Sequence, residues 1–368
     1  VDSAHFTSVH FIPSLDSVEV FVQASESGSV CMEVLEADSC ITAHTFTAGG
    51  SQTVSFEAPR LWTPEQPFLY RVRLSLLRAG RETDRVESYF GLRTFAVQPD
   101  ENGTPYFLLN GRPYFQKGLL DQGYWPDGLY TAPSDEALRR DIEQAKALGF
   151  NMLRKHIKVE PARWYYHCDT MGMLVWQDMV NGGREYKSWY VTWLATAMEG
   201  THIRAKDTRL HLMGRQDPTG QKQFESEMKE TIRRLYNHPS VVTWVIFNEG
   251  WGQFKTRKMT DIALAEDHTR LIDSASGWFD QGCGDIKSIH DYFFPLNITP
   301  EKRVTALTEF GGYSLQIPKH SMYEKDIYGY KIFKRKKDLS RAYEKLIKKE
   351  SDPEGLLRQF FVSVRTLT

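Results

Sequence analysis

The stretch VTWVIFNEGWGQF, residues 242–254, constrains the fold more than any other part of the chain. Residues 241–247 are almost unbroken Val, Trp, Ile and Phe with one Thr, and the run stops abruptly at Asn248-Glu249-Gly250. An apolar, β-branched run without polar alternation reads as a strand covered on both faces, the pattern of parallel sheets in α/β folds. Parallel barrels keep their chemistry at the C-terminal tips of their strands, so Glu249 stands where a functional carboxylate is expected. A second run, residues 303–308, leads into Glu309-Phe310-Gly311-Gly312, where the glycines let a ligand approach a second carboxylate.

Two carboxylates at strand ends suit glycoside hydrolysis. One carboxylic acid protonates the leaving oxygen, and one carboxylate attacks or stabilises the oxocarbenium-like carbon. The alternative for any single Glu at a strand end is a solvated or capping residue. Two of them in the same context, with Asn248 beside one and aromatic residues nearby, favour the site.

A formal net charge of -1 over 368 residues supplies no basic field for nucleic acid. No apolar run approaches the roughly 18 residues of a membrane helix, so a soluble protein with no membrane partner is expected. Aromatic residues make up 13%, with nine Trp, which suits rings stacking on pyranose faces; large cores are the alternative. Cys31, Cys40, Cys168 and Cys283 lack metal or CxxC spacing and are expected as free thiols, with a Cys31–Cys40 pair across neighbouring strands as the alternative. No cofactor motif is evident. No signal peptide opens the chain, which starts mid-pattern at Val1, so cytoplasm and periplasm both stay open.

Organisation changes near residue 100. Before it, short alternating runs such as 18–22, 30–35, 53–56 and 70–76 are separated by turn residues, which describes an immunoglobulin-like β-sandwich over residues 1–99. The polar stretch 98–103 is expected as the joint. Beyond it, strands alternate with helices, and residues 103–368 are expected to form a (β/α)8 TIM barrel, incomplete at its C-terminal end. Expected strands are 114–120, 151–154, 173–176, 241–247, 270–274, 286–290 and 303–308, each opening a βα unit. Ser134 is expected to cap a helix over 135–148 with Leu138, Ile142, Ala145 and Leu148 on one face, Pro161 to open the next, and residues 224–236 to form a third. The polar stretch 177–220 is expected to wall the site. Residues 359–364 are the candidate eighth strand, and the basic segment 331–349 reads as a solvated amphipathic helix.

The residues in order resemble glycoside hydrolase family 2, the family of β-galactosidases, β-glucuronidases and β-mannosidases. LWTPEQPFLY (61–70) and YFGLRTF (89–95) look like its immunoglobulin-like domain running into the barrel. FLLNGRPYFQKGLLDQG (107–123) resembles its first barrel strand, HPSVVTWVIFNEGWGQ (238–253) its acid/base segment, and LTEFGGYS (307–314) its nucleophile segment. The resemblance implies a retaining mechanism with Glu249 as general acid/base, Glu309 as nucleophile, and Asn248 bonding the sugar 2-hydroxyl. It matches Arg154 to an arginine near the nucleophile, and Tyr292 and His290 to positions beside it, with a structural imidazole as the alternative for His290. His156, Trp251 and Trp278 are further candidates for the sugar pocket. Glu249, placed beside Trp244 or Trp251, needs a raised pKa to arrive protonated.

Members of that family usually begin with a jelly-roll domain, and nothing here corresponds to it. Where metal-dependent β-galactosidases place acidic ligands, this chain has Trp176-Gln177-Asp178-Met179, closer to the β-mannosidase version, so no catalytic metal is expected. Lys155, Lys158, Lys319 and Lys325 could meet a uronate, but the family's Asn-x-Lys pattern is not evident. A β-galactosidase-like exo-glycosidase acting on a carbohydrate is therefore the expected function. β-Mannosidase, β-glucuronidase and a non-catalytic carbohydrate-binding barrel remain as alternatives.

Overall fold

Alternation of buried side chains along β2, β3 and β6 shapes the N-terminal region. The structure is a computed structural model that describes residues 4–37, 39–198, 205–292, 302–319 and 327–347. Its first strands are β1 (Phe6–Pro13), β2 (Ser17–Ala24), β3 (Ser29–Glu36), β4 (Ser39–Thr47), β5 (Ser51–Ser55), β6 (Tyr70–Arg78) and β7 (Arg81–Phe90). They form two antiparallel sheets, in the orders β1-β2-β5 and β4-β3-β6-β7. Val18, Val20 and Val22 of one sheet meet Val30, Met32, Val34, Val72, Leu74 and Leu76 of the other in a single core. Each buried side chain of this kind contributes roughly 1.5–3 kcal/mol. A one-residue slip would turn the whole valine set to water, so burial pins the register. Cys31 faces Thr45 and Cys40 faces Leu35 in that register, and all four thiols are free.

The polar stretch 98–103 is the tip of a hairpin. Strands β8 (Phe95–Pro99) and β9 (Pro105–Leu109) pair antiparallel, with β10 (Arg112–Pro113) on the outer edge of β9. Phe95 and Leu109 pack with Leu174, Trp176, Val242, Leu271, Ile286 and Val304, so this hairpin seals the N-terminal ends of the barrel strands.

The barrel elements follow as β11 (Gly118–Asp121), α1 (Asp135–Ala147), β12 (Met152–Lys155), α2 (Ala162–Met171) and β13 (Leu174–Asp178). A π-helix, Trp189–Leu194, then precedes α3 (Ala195–Met198), α4 (Pro218–Leu235), β14 (Val241–Val245), α5 (Thr256–Glu266), β15 (Leu271–Asp273), β16 (Ile286–Asp291) and β17 (Val304–Phe310). Strands β11 to β15 form one parallel sheet in chain order, and β16 pairs parallel with β17. The short strands β18 (Tyr313–Leu315) and β19 (Lys331–Phe333) pair with each other, and α6 (Lys336–Ile347) ends the described chain.

Helix α1 starts as its sequence dictates. Ser134 Oγ accepts the Ala137 amide at 3.2 Å, and Asp135 and Glu136 sit at the positive end of the helix dipole. Leu138, Ile142 and Ala145 are buried, but Leu148 is 71% exposed because it caps the helix beyond its last turn. Pro161 is the cap of α2 and not its first helical residue, and α4 starts at Pro218, earlier than expected, with Asp217 as its cap. Gly172 ends α2 at φ +73°, and a Cβ there would meet the Pro64 carbonyl at 2.4 Å. That contact joins the barrel to the sandwich.

Two further expectations fail. The first strand is shorter than residues 114–120, because Tyr114 is held elsewhere by a hydrogen bond to Glu65. No helix separates β15 from β16 among the described residues; Gly277, Gly282 and Gly284 all take left-handed φ there, so the intervening segment is a loop. Within the 177–220 stretch, expected to wall the site, lie the π-helix and α3. The candidate eighth strand at 359–364 lies outside the described residues.

Side-chain alternation then layers the barrel interior. Met152, Leu174, Leu271 and Ile286 lie low; Arg154, Trp176, Asp273 and Ser288 lie one pleat higher; Asp178 and His290 lie at the top. Sandwich and barrel are bolted together by buried polar contacts. Trp62 Nε1 donates to the Asp169 carbonyl at 2.8 Å, and Arg93 donates to the carbonyls of Pro239 and Val241 at 2.9 and 2.8 Å. No helix among the described residues is long and apolar enough to cross a membrane.

Trp62 is fully buried in the cluster shared with the barrel. Trp62→Ala should therefore lower stability by about 3–5 kcal/mol in chemical denaturation. A loss below about 1 kcal/mol would show that the two bodies do not depend on this contact.

Candidate active site

Four strand ends converge on one guanidinium. Arg154, on the inward face of β12, is 2% exposed. Its Nε and Nη2 donate to the two oxygens of Asp178 at 2.9 and 3.0 Å, a bidentate pair. Nη1 donates to Glu309 Oε1 at 2.9 Å, and Nη2 also donates to Asn248 Oδ1 at 2.8 Å. The residues come from β12, β13, β17 and the turn after β14, so the interior alternation of four strands places them together.

Glu309 lies within β17, one residue before its end, and its side chain is 8% exposed. The Tyr292 hydroxyl donates to its Oε2, and His290 Nε2 lies 3.6 Å from its Oε1. Burial opposes ionisation of Glu309, yet His290, Arg154, His156 and the Tyr292 hydroxyl together outweigh it and hold the carboxyl below the usual range. Burial also opposes ionisation of Asp178, and Arg154 and His156 again prevail. Burial and the two carboxylates push the Tyr292 phenol far up, so it remains a proton donor.

Glu249 is differently placed. Its side chain is 24% exposed, and its backbone takes φ +51°, a conformation uncommon outside glycine. The Glu249 amide donates to the Ser276 carbonyl at 3.0 Å, and Gly250 follows at φ +75° beneath Phe279, where a Cβ would come within 2.4 Å of the ring. This turn leaves the carboxyl partly exposed, unlike that of Glu309. Oε1 lies 2.9 Å from His290 Nδ1 and 3.4 Å from the Tyr292 hydroxyl. Donor atoms of Glu249, His290 and Glu309 all lie within 4.8 Å of one another. The three could group around a cation, but the Arg154 guanidinium already holds one Glu309 oxygen and stands 3.4 Å from His290 Nε2. A metal ion placed among them would face that positive charge.

The other expected residues divide. His156 joins the centre, with Nδ1 3.0 Å from Asp178 Oδ2. His290 is fully buried between the two glutamates, where burial opposes its protonation but Glu309 and Glu249 overcome it and raise its pKa. Trp251 is 38% exposed, packs on Tyr186 with ring centroids 5.9 Å apart, and flanks the backbone of Gly182. Trp278 packs with the cluster of Tyr190, Leu212 and Phe279, and its buried Nε1 has no partner among the described residues. Trp244 does not stand beside Glu249: it belongs to the core under the helices, and its Nε1 donates to Asp267 at 2.9 Å.

Sequence reasoning gave no role to Asp178, Ser276 or Tyr330. Asp178 shares the inward face of β13 with Leu174 and Trp176, a signal available from strand alternation. Ser276 Oγ lies 3.1 Å from His290 Nε2, and Tyr330 stacks on Tyr292 at 3.6 Å between centroids. Tyr330 lies 21 positions beyond Glu309 in the chain, so only the fold reveals its place.

This combination, a parallel barrel behind an immunoglobulin-like sandwich with two carboxylates around a buried arginine, defines a class. The model described as glycosyl hydrolases family 2 matches residues 4–93, and that of the family's TIM barrel domain matches residues 104–309. The chain belongs to glycosyl hydrolase family 2. It is 27% identical over 220 residues to a beta-galactosidase of Lactococcus lactis, covering 60% of this chain and 19% of that protein. It is 28% identical over 213 residues to beta-mannosidase B of Emericella nidulans, covering 54% of this chain and 21% of that protein. The chain thus spans about a fifth of the length of the curated relatives it matches. A GH2 beta-galacturonidase from Eisenbergiella tayi, solved with galacturonate, shares the fold at a TM-score of 0.63 and 19% identity, covering 87% of this chain and 60% of that one.

The lowered carboxyls set a pH dependence. Glu309 and Asp178 bind protons less tightly folded than unfolded, so they stabilise the fold above their unfolded pKa values and lose that contribution as pH falls through the folded ones. Arg154→Met strands both charges and should cost about 3–5 kcal/mol at pH 7 in urea denaturation. The gap to the parent chain should narrow as pH drops below about 4. A gap that stays constant down to pH 3 would contradict this electrostatic assignment.

Proposed function

We propose that this chain carries the catalytic centre of a retaining exo-β-glycosidase, with Glu309 as nucleophile and Glu249 as general acid/base. The observation that carries the reading is the pair of carboxyls with donor atoms within 4.8 Å of each other, one enclosed by cations and one partly exposed. Retaining enzymes separate their carboxyls by about 5–5.5 Å, whereas inverting enzymes leave about 6.5–9.5 Å for an intervening water.

In the first step a Glu309 oxygen attacks the anomeric carbon while Glu249 gives its proton to the glycosidic oxygen. The carbon–oxygen bond to the aglycone breaks and a glycosyl ester forms. In the second, Glu249 takes a proton from water, the water oxygen attacks the same carbon, and Glu309 leaves as carboxylate. Two inversions give net retention. Arg154 and Tyr292 hold the nucleophile anionic and aligned, and His290 contacts Glu249 at both stages. Asn248, fixed through its Oδ1 by Arg154, has its amide NH2 left for the sugar 2-hydroxyl. His156, Trp251 and Trp278 would line the sugar and leaving-group sides.

We take the glycone as a β-galactoside first. A β-mannoside is the second reading, supported by Asp178 of the Trp176-Gln177-Asp178 segment being committed to Arg154 and His156, not free for a metal. A uronate is less favoured. Lys155 pairs with Asp121 and Glu160 at 2.8 and 3.0 Å, and Lys158 pairs with Glu160 at 2.8 Å, so these buried cations are already neutralised. Lys319 is exposed, and Lys325 lies outside the described residues.

Nitrophenol release should be measured on β-galactoside, β-mannoside and β-glucuronide, with the parent chain beside Glu309→Gln. Turnover should fall on the order of 10³-fold or more in the variant, and proton NMR should show the β-anomer as the first product. A first product of α configuration would refute retention, and turnover of mannoside alone would refute the galactoside choice.

A further inference from the structure

A fully buried aspartate lies one pleat below the site and takes no part in the chemistry described. Asp273 ends β15 inside the barrel, and its Oδ2 accepts a short hydrogen bond from Ser288 Oγ on β16. Its Oδ1 is buried without a partner among the described residues. A carboxyl in such a place is costly, and an apolar residue of similar size would pack there at lower cost. Ser288 leads upward: Ser276 Oγ lies 3.5 Å from Ser288 Oγ and 3.1 Å from His290 Nε2, with Thr308 Oγ1 as a second acceptor for Ser276 at 3.2 Å. His290 Nδ1 then reaches Glu249 Oε1 at 2.9 Å.

The donors run in one direction when the imidazole is protonated. Nδ1–H points to Glu249 and Nε2–H to Ser276; the Ser276 hydroxyl is shared between Thr308 at 3.2 Å and Ser288 at 3.5 Å, and the Ser288 hydroxyl points to Asp273. We propose that Asp273 is a positioning residue: through Ser288 and Ser276 it is the buried counter-charge that keeps a proton on the His290–Glu249 pair. This rests on the reading of Glu249 as the acid/base. A carboxylate beneath the imidazole favours the proton on His290, whose Nδ1–H faces Glu249 Oε1 at 2.9 Å; passing that proton across the bond leaves His290 neutral and lets Glu249 give it to the leaving oxygen.

The groups facing Asp273 are Ser288 and His290 from β16, Arg154 from β12 and Asp178 from β13. Those facing His290 are Glu309 from β17, Glu249 from the turn after β14, and Arg154. Burial pushes the Asp273 carboxyl up to about 6, against the pull of Ser288, Arg154 and His290. Asp273 is therefore neutral on the acid side of about pH 6 and charged above it. Its charge appears as the pH rises toward the range where the pair would otherwise lose its proton. Because His290 and Glu249 touch, the alkaline limb of kcat/KM reports the pair and not either residue alone.

Two readouts on the chain, with Asp273→Asn, Ser288→Ala and Ser288→Thr, test this. The alkaline limb of kcat/KM should move to lower pH by on the order of one unit in Asp273→Asn. The His290 imidazole, followed by nitrogen-15 NMR from pH 5 to 10, should lose its proton at correspondingly lower pH. Ser288→Ala should move both in the same direction, and Ser288→Thr, which keeps the hydroxyl, should return them toward the parent. The serine pair decides the matter if Asp273→Asn does not fold. Activity with an unmoved His290 titration in the folded variants overturns the proposal and leaves the glycosidase standing. A shifted titration in a chain that hydrolyses no glycoside upholds the buried link and removes the glycosidase.

Discussion

The buried guanidinium of Arg154 is the interaction on which the centre depends. Removing an arginine from water is expensive, and only paired charges with good hydrogen-bond geometry make it tolerable. Here Asp178 takes two of its N–H groups in a fork, Glu309 a third on Nη1, and Asn248 the other N–H of Nη2. Those partners come from β13, β17 and the turn after β14, so one cation ties together elements of both parallel sheets. The sandwich and the β8–β10 hairpin contribute from below, by filling the apolar layer on which this polar layer rests.

From that arrangement the two glutamates acquire different characters. Glu309 is enclosed by Arg154, His290, His156 and Tyr292, all of which favour its anion. Glu249 is carried past the end of β14 on a strained left-handed turn and stays partly exposed. Chain topology alone would make them equivalent strand-end carboxylates. Their neighbours separate them: His290, Arg154, His156 and the Tyr292 hydroxyl surround Glu309, whereas Glu249 meets His290 and Tyr292 at its Oε1.

The parts legible from the sequence were those written in local pattern. The valine alternation of the sandwich, the apolar run into Glu249 and the caps Ser134 and Gly172 all announce themselves within a few residues. Strand ends brought Glu249, with Asn248 beside it, and Glu309 into view, and the resemblance to the family added Arg154, His290 and Tyr292. What escaped depends on the third dimension. Trp244 looked like a neighbour of Glu249, but alternation along β14 turns it to the helices. The polar stretch at 98–103 forms the tip of the β8–β9 hairpin, and it falls between the residues matched by the two family models. Tyr330 and Asp273 carry no motif, and only barrel packing brings them to the site.

The claim that unites this account is that Glu309, held anionic by Arg154, is the group that bonds to the sugar. Incubating the chain with an activated 2-deoxy-2-fluoro β-glycoside and mapping its peptides by mass spectrometry tests that most directly. A glycosyl mass on the peptide containing Glu309 is the result the account predicts. Labelling of Glu249 instead, or turnover of the parent glycoside with no peptide ever labelled, would contradict it.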